Sequence, residues 1–166
     1  MKKWITFKGS IATEYIEQIG DKIDMVFIDT THFEPGEILD FLIVLPFLKE
    51  NAIVIFQGIA SQITKATLRN EWAPYIIFNG IRGEKYFPSG NSTLKKDIGA
   101  VKLERCQKRY YHEYFRLLGG QWQYFPPELH IKQIKNYFKK YYDQECLQML
   151  EETINFNREF VKNNPK

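Results

Sequence analysis

A chain of 166 residues with 44% apolar and 16% aromatic residues can bury one full core, so intrinsic disorder is excluded. A formal charge of +3 and a pI near 8.7 fall short of the dense Lys/Arg stripe that marks a nucleic-acid partner. Cys106 and Cys146 stand far apart without a CxxC, which excludes a zinc ribbon and a disulfide scaffold and fits two free thiols in a reducing cytoplasm.

The first twenty residues have no apolar core of signal-peptide length, because Lys8, Thr13, Glu14 and Glu17 interrupt it. Trp4 to Phe7 reads as a strand. Ser10 can cap a helix over about 11–19, with Gly20 as its stop. The run IDMVFID at 23–29 has the pattern of a strand covered on both faces in a parallel sheet. Apolar residues then recur at helical spacing from about Gly36 to Glu50, and AIVIF at 52–56 gives a second two-faced strand. Strand, helix, strand is a βαβ unit. FLIVLPFL at 41–48 is too short to cross a bilayer, so no membrane span is expected.

SQITKATLRNEW at 61–72 reads as another helix, and APYIIFNGIRGEKYF at 73–87 as a strand that becomes irregular. PSGNSTLKKD breaks periodic structure. IGAVKLE at 98–104 alternates as a strand, and the short connection predicts an antiparallel hairpin at one edge. In 107–118 the aromatics Tyr110, Tyr111, Tyr114 and Phe115 repeat at helical spacing; GGQWQYFPPE interrupts, and 129–157 is helical again. The fold expected is α/β: a mostly parallel sheet of about five strands with an antiparallel edge hairpin, covered by helices. Residues 1–104 form the α/β domain and 105–166 a helical carboxyl-terminal extension packed on it.

Ligands of open parallel sheets bind at the carboxyl ends of strands, which singles out Asp29, Thr30, Thr31 and His32. His32 could act as a base or bind a metal, or it could cap the turn together with Asp29. Asp40 reads as a solvated-face residue. Glu34 and Glu37 lie where a helix amino terminus favours negative charge, which needs no catalytic role. The aromatic and basic tail could stack nucleic acid, but helical spacing favours packing in the core or on a partner. His112 and His130 are too distant in sequence to suggest a metal pair, and no glycine-rich nucleotide fingerprint is present.

The stretch IDMVFIDTTHFEPGEILDFLIVLPFLKENAIVIFQGI resembles the second half of a class I S-adenosylmethionine-dependent methyltransferase. Phe27, Ile28, Asp29, His32, Gly36 and Asp40 match a pattern of the form F-I-D-x-x-H-x-x-x-G-x-x-x-D at the end of that family's fourth strand. LPFLKENAIVIF is similar to its helix end, Gly-Gly turn and fifth strand, with Asn51 and Ala52 in place of the glycines. YIIFNG and IGAVKLE resemble the sixth and seventh strands, the seventh antiparallel. The resemblance implies S-adenosylmethionine as cofactor, with Asp29 and Thr30 on the cofactor side. It implies His32 and Asp29 as catalytic residues acting on a hydroxyl of a sugar or natural-product acceptor.

The family's His-Asp at the end of the fifth strand is Gln57 and Gly58 here, and a frequent second acid is Thr31, so no metal is expected. The resemblance begins at the family's third strand. Its glycine-rich loop and ribose-binding acid have no counterpart, which implies a truncated chain, inactive or incomplete as an enzyme. Trp4 to Phe7 would then pair beside IDMVFID, or a second copy would cover that edge in a homodimer. The alternative from another class is a non-catalytic interaction subunit that binds a partner through the aromatic tail.

Overall fold

The computed structural model describes residues 6, 11–20, 22–60, 71–89 and 97–163. The expected strand at 4–7 and helix at 61–72 fall on residues outside this set, apart from Thr6, Glu71 and Trp72, which belong to no regular element. Four strands form one mixed sheet: β1 (Ile23–Ile28), β2 (Leu48–Gln57), β3 (Gly83–Tyr86) and β4 (Ile98–Leu103), in the order β1-β2-β4-β3. Among the described residues, six α-helices accompany it: α1 (Ile16–Ile19), α2 (Gly36–Val44), α3 (Ala73–Gly80), α4 (Tyr111–Arg116), α5 (Glu128–Phe138) and α6 (Gln144–Asn163).

The βαβ unit forms as the periodicity predicts, with β1 and β2 parallel and Val26 opposite Val54. β4 is antiparallel to β2 and to β3, so the late hairpin sits at an edge as expected. The sheet nevertheless departs from the expectation in two ways. It has four strands among the described residues, and only one of its three pairings is parallel.

Of the five expected strands, the one at 4–7 lies outside the described residues apart from Thr6, and the one expected over 73–87 is a strand only at Gly83–Tyr86, because APYIIFNG is helix α3. Its buried residues Ala73, Pro74, Ile77 and Phe78, continued by Ile81, recur every three or four positions and put one side of the segment into the core. Pro74 near the start suits a first turn, where its missing N–H has no helical partner anyway. A short apolar run does not reveal its period until its neighbours are known.

β1 and β2 also differ from two-faced strands. Val26, Ile28, Val54 and Phe56 lie on the inner face, whereas Met25 and Phe27 are 60% and 54% exposed, and Ile53 and Ile98 are exposed beside them. The helices pack on the inner face. There Phe41 of α2 meets the Phe56 ring on one side, centroids 6.5 Å apart, and the Tyr114 ring on the other at 5.6 Å.

The tail contributes to the same core: Tyr111, Tyr114, Phe115, Trp122, Tyr137, Phe138 and Tyr142 are buried in one cluster with α2 and the sheet. The segments expected at 107–118 and 129–157 are helical but interrupted. The first is a 3-10 turn, α4 and a second 3-10 turn; the second divides at residues 139–143, where Asp143 accepts the Cys146 N–H at 2.9 Å and caps α6. The helix expected over 11–19 is a 3-10 turn at Ala12–Glu14 followed by α1, and Gly20 ends it at φ 99. Among the described residues, no helix is long and apolar enough to cross a membrane.

Helix α2 stops at Val44, six residues before the expected end at Glu50, and a 3-10 turn at Leu45–Phe47 leads into β2. Pro46 explains the stop. It has no N–H to offer the Leu42 carbonyl four residues earlier. The Tyr142 hydroxyl donates to that carbonyl instead, and the Tyr137 hydroxyl donates to the Ile43 carbonyl at 2.6 Å. Both sites are buried, so these carbonyls cannot turn to water. Replacing either tyrosine by Phe leaves a buried acceptor without its donor and should cost about 1–3 kcal/mol in urea unfolding. An unchanged midpoint in both variants would contradict this role.

Candidate functional site

β1 ends at Ile28, and residues 29–35 turn the chain into α2. The turn is tied from three directions. Gly36 N–H donates to the Phe33 carbonyl at 2.8 Å, and Ala73 N–H, at the start of α3, donates to the His32 carbonyl at 3.2 Å. From the tail, Gln123 N–H donates to the Glu34 carbonyl while Gln123 Oε1 accepts the Glu34 N–H, both at 3.0 Å. Two glycines make room. A Cβ on Gly36 would lie 2.8 Å from the Thr31 carbonyl oxygen, and one on Gly58 would lie 2.8 Å from Cε1 of His32. Gly58 also has φ +87, in the left-handed region that side chains disfavour.

His32 is 16% exposed and surrounded by carboxyl groups. Its Nδ1 lies 3.3 Å from Glu71 Oε2; its Nε2 lies 3.5 Å from Asp29 Oδ1 and 3.7 Å from Glu37 Oε1. Nε2 is enclosed and makes no hydrogen bond. Asp29, 48% exposed, is the solvent-facing member of the group. The structure therefore brings the two predicted catalytic residues together.

Glu37 is more than a favourable charge at a helix amino terminus. It is fully buried, its Oε1 accepts the Thr30 N–H at 3.2 Å, and burial pushes its carboxyl up to about 8. Burial also raises the carboxyl of Glu34. Asp40 corrects the solvated-face reading: it is half-buried, accepts the Thr30 hydroxyl at 2.7 Å, and burial holds its carboxyl above its usual range. Periodicity places Asp40 on a helix face but cannot say that a cleft lies against that face.

That cleft has a volume of about 720 Å³ and wraps the edge of β1. Its walls are apolar, with Ile19, Met25, Phe27, Ile43 and Ile134 among them, and its polar end holds Thr30, Thr31, Asp40 and Tyr124. Asp29 and His32 do not line it. The histidine group and the cleft lie on two sides of the same turn, divided by Thr30 and Thr31. Glu71, Gln123 and Tyr124 carry no motif, and only folding brings them to this turn.

The two residues that the resemblance assigns to S-adenosylmethionine have partners within the protein. Both polar donors of Thr30 are engaged with Glu37 and Asp40, and the Asp29 carboxylate faces His32. Among the described residues, one His/Asp/Cys group is close enough to hold a metal ion: His112, Asp143 and Cys146, with ligand atoms within 4.8 Å. Asp143 there already caps α6 and lies 3.0 Å from Nε2 of His112, while the buried Cys146 thiol is pushed up to about 12, chiefly by burial. Capping and charge pairing account for this cluster without an ion.

A comparison with known proteins found no matching family model, no matching curated protein and no matching solved structure. The geometry defines an α/β protein with a mixed four-stranded sheet and a polar turn at the end of its parallel pair.

Glu37 has a pH signature. Its folded pKa is raised, so the folded state holds the proton more tightly than the unfolded chain. Its contribution is fully present below the ordinary pKa of 4.5 and is lost as the pH rises through about 8. Glu37→Gln should match the native chain near the acid end of that window and exceed its stability above pH 8 by up to about 5 kcal/mol, since each pKa unit is worth about 1.36 kcal/mol. Parallel pH dependence of native chain and variant, in denaturant melts at several pH values, would contradict the buried neutral acid.

Proposed function

We propose that this chain is a methyltransferase-like protein, derived from S-adenosylmethionine chemistry, that carries the acceptor side of a site for a hydroxyl group and is incomplete as an enzyme on its own. One observation carries the reading. Asp29, His32, Gly36 and Asp40, whose spacing supports the resemblance, join one network at the carboxyl end of a parallel strand.

Two further features support it. β4 is antiparallel to both neighbours, the direction that the resemblance gives the seventh strand. Asn51, which stands where the family has glycine, has φ 60, a conformation that Asn tolerates better than most residues. In this reading Asp29 meets the acceptor first. Rotation of its half-exposed side chain opens Nε2 of His32, the base, which takes the hydroxyl proton; the Glu71 carboxylate on Nδ1 orients the ring. No step is routed through the cofactor, because the described residues supply no cradle for it.

A second reading, a non-catalytic interaction subunit or homodimer, is favoured by the open sheet face with Met25, Phe27, Ile53 and Ile98. It draws on the sheet, since the tail's aromatic rings are largely in the core.

Calorimetric titration with S-adenosylmethionine should give no saturable heat up to millimolar cofactor. Saturable micromolar binding would overturn the incomplete reading and make the chain an enzyme in its own right. His32→Gln, which keeps a donor for Glu71 but lacks the basic nitrogen, should then abolish turnover and leave Tm nearly unchanged. A large fall in Tm with turnover retained would assign His32 to holding the turn.

A further inference from the structure

The cleft along β1 is a second feature of the turn, separate from the histidine group. Its volume of about 720 Å³ falls in the range of small-molecule sites. The residues around it decide what can enter. Among its described lining residues none is Lys or Arg, His130 is the one basic side chain, and Asp40 is the one acid. A phosphate or carboxylate placed at the polar end would meet the Asp40 carboxyl, with no Lys or Arg among the described lining residues to offset the repulsion. A free sugar would leave most of its hydroxyls against Ile19, Met25, Phe27, Ile43 and Ile134, where nothing accepts or donates.

The polar end offers a narrow set of contacts. Asp40 already accepts the Thr30 hydroxyl through Oδ2. Tyr124, hydrogen-bonded to Thr31, closes the same end. The carboxyl is partly withdrawn from water, and burial disfavours its charge, so a donor from a ligand would replace hydration that the apolar walls deny.

We infer that this cleft binds an uncharged small molecule with a flat or chain-like apolar body and one hydroxyl, which donates to Asp40 while the body lies against Met25, Phe27 and Ile43. The site does not depend on the methyl-transfer reading, because binding here requires no cofactor.

Three probes test this on the full chain without cofactor: 1-naphthol, 1-naphthyl phosphate and glucose, titrated by calorimetry. Saturable binding of 1-naphthol is expected, with 1-naphthyl phosphate at least about tenfold weaker and glucose without heat. Asp40→Asn removes the charge and should narrow the gap between naphthol and its phosphate. Phe27→Asp, at an exposed wall position, should weaken naphthol about tenfold with Tm preserved. The inference is overturned if naphthol fails to saturate, if the phosphate or glucose binds as tightly, or if Phe27→Asp leaves naphthol affinity unchanged. Naphthol binding without S-adenosylmethionine binding upholds the cleft while the cofactor question is answered separately.

Discussion

The carboxyl-terminal end of α2 is the constraint on which the other elements depend. Pro46 ends the helix inside the core, and the Leu42 and Ile43 carbonyls are left where water cannot reach them. Tyr142 and Tyr137 supply the missing donors from about a hundred residues further along the chain. A buried carbonyl without a donor is costly, so the tail is tied to the α/β layer by polar satisfaction as well as by apolar burial. Phe41, between Phe56 and Tyr114, fastens the same helix to both sides.

The site inherits its shape from this arrangement. With α2 held between sheet and tail, its amino-terminal turn is clamped between the start of α3 and Gln123, and its acids have little freedom to reach solvent. Glu37 and Asp40 lie one turn apart and are linked through Thr30, one through the backbone N–H and one through the hydroxyl. Gly36 and Gly58 allow the close approach of Thr31 and His32. Buried acids beside a histidine cost stability, a pattern more common at functional sites than in shells built for stability alone.

Much of the frame was legible in the sequence. The βαβ unit, the edge hairpin and the helical tail follow from apolar spacing and from the placement of Gly and Pro. APYIIFNG was not legible, since eight apolar-rich residues fit a strand as well as a helix until Ile77 and Phe78 are seen in the core. The one-sided burial of β1 escaped for a related reason: a continuous apolar run does not say which of its residues will find neighbours. At the site, Asp29 and His32 are three residues apart and could be paired by eye. Glu71, Gln123 and Tyr124 reach the turn over long sequence separations, and no local pattern predicts such contacts. Asp40 was visible as a helix position, while the cleft that half-buries it depends on Tyr124 and Ile134 arriving from the tail.

The central claim is that sheet, α2 and tail unfold as one cooperative unit, with the turn at 29–35 held inside it. Native-state hydrogen exchange measures this directly, because each protected amide reports the free energy of the opening that exposes it. The core amides of β2, α2, α5 and α6 should exchange at one common free energy equal to that of global unfolding. A separate, lower free energy for α5 and α6, with β2 and α2 still protected, would show the tail to be a detachable layer and would contradict the account.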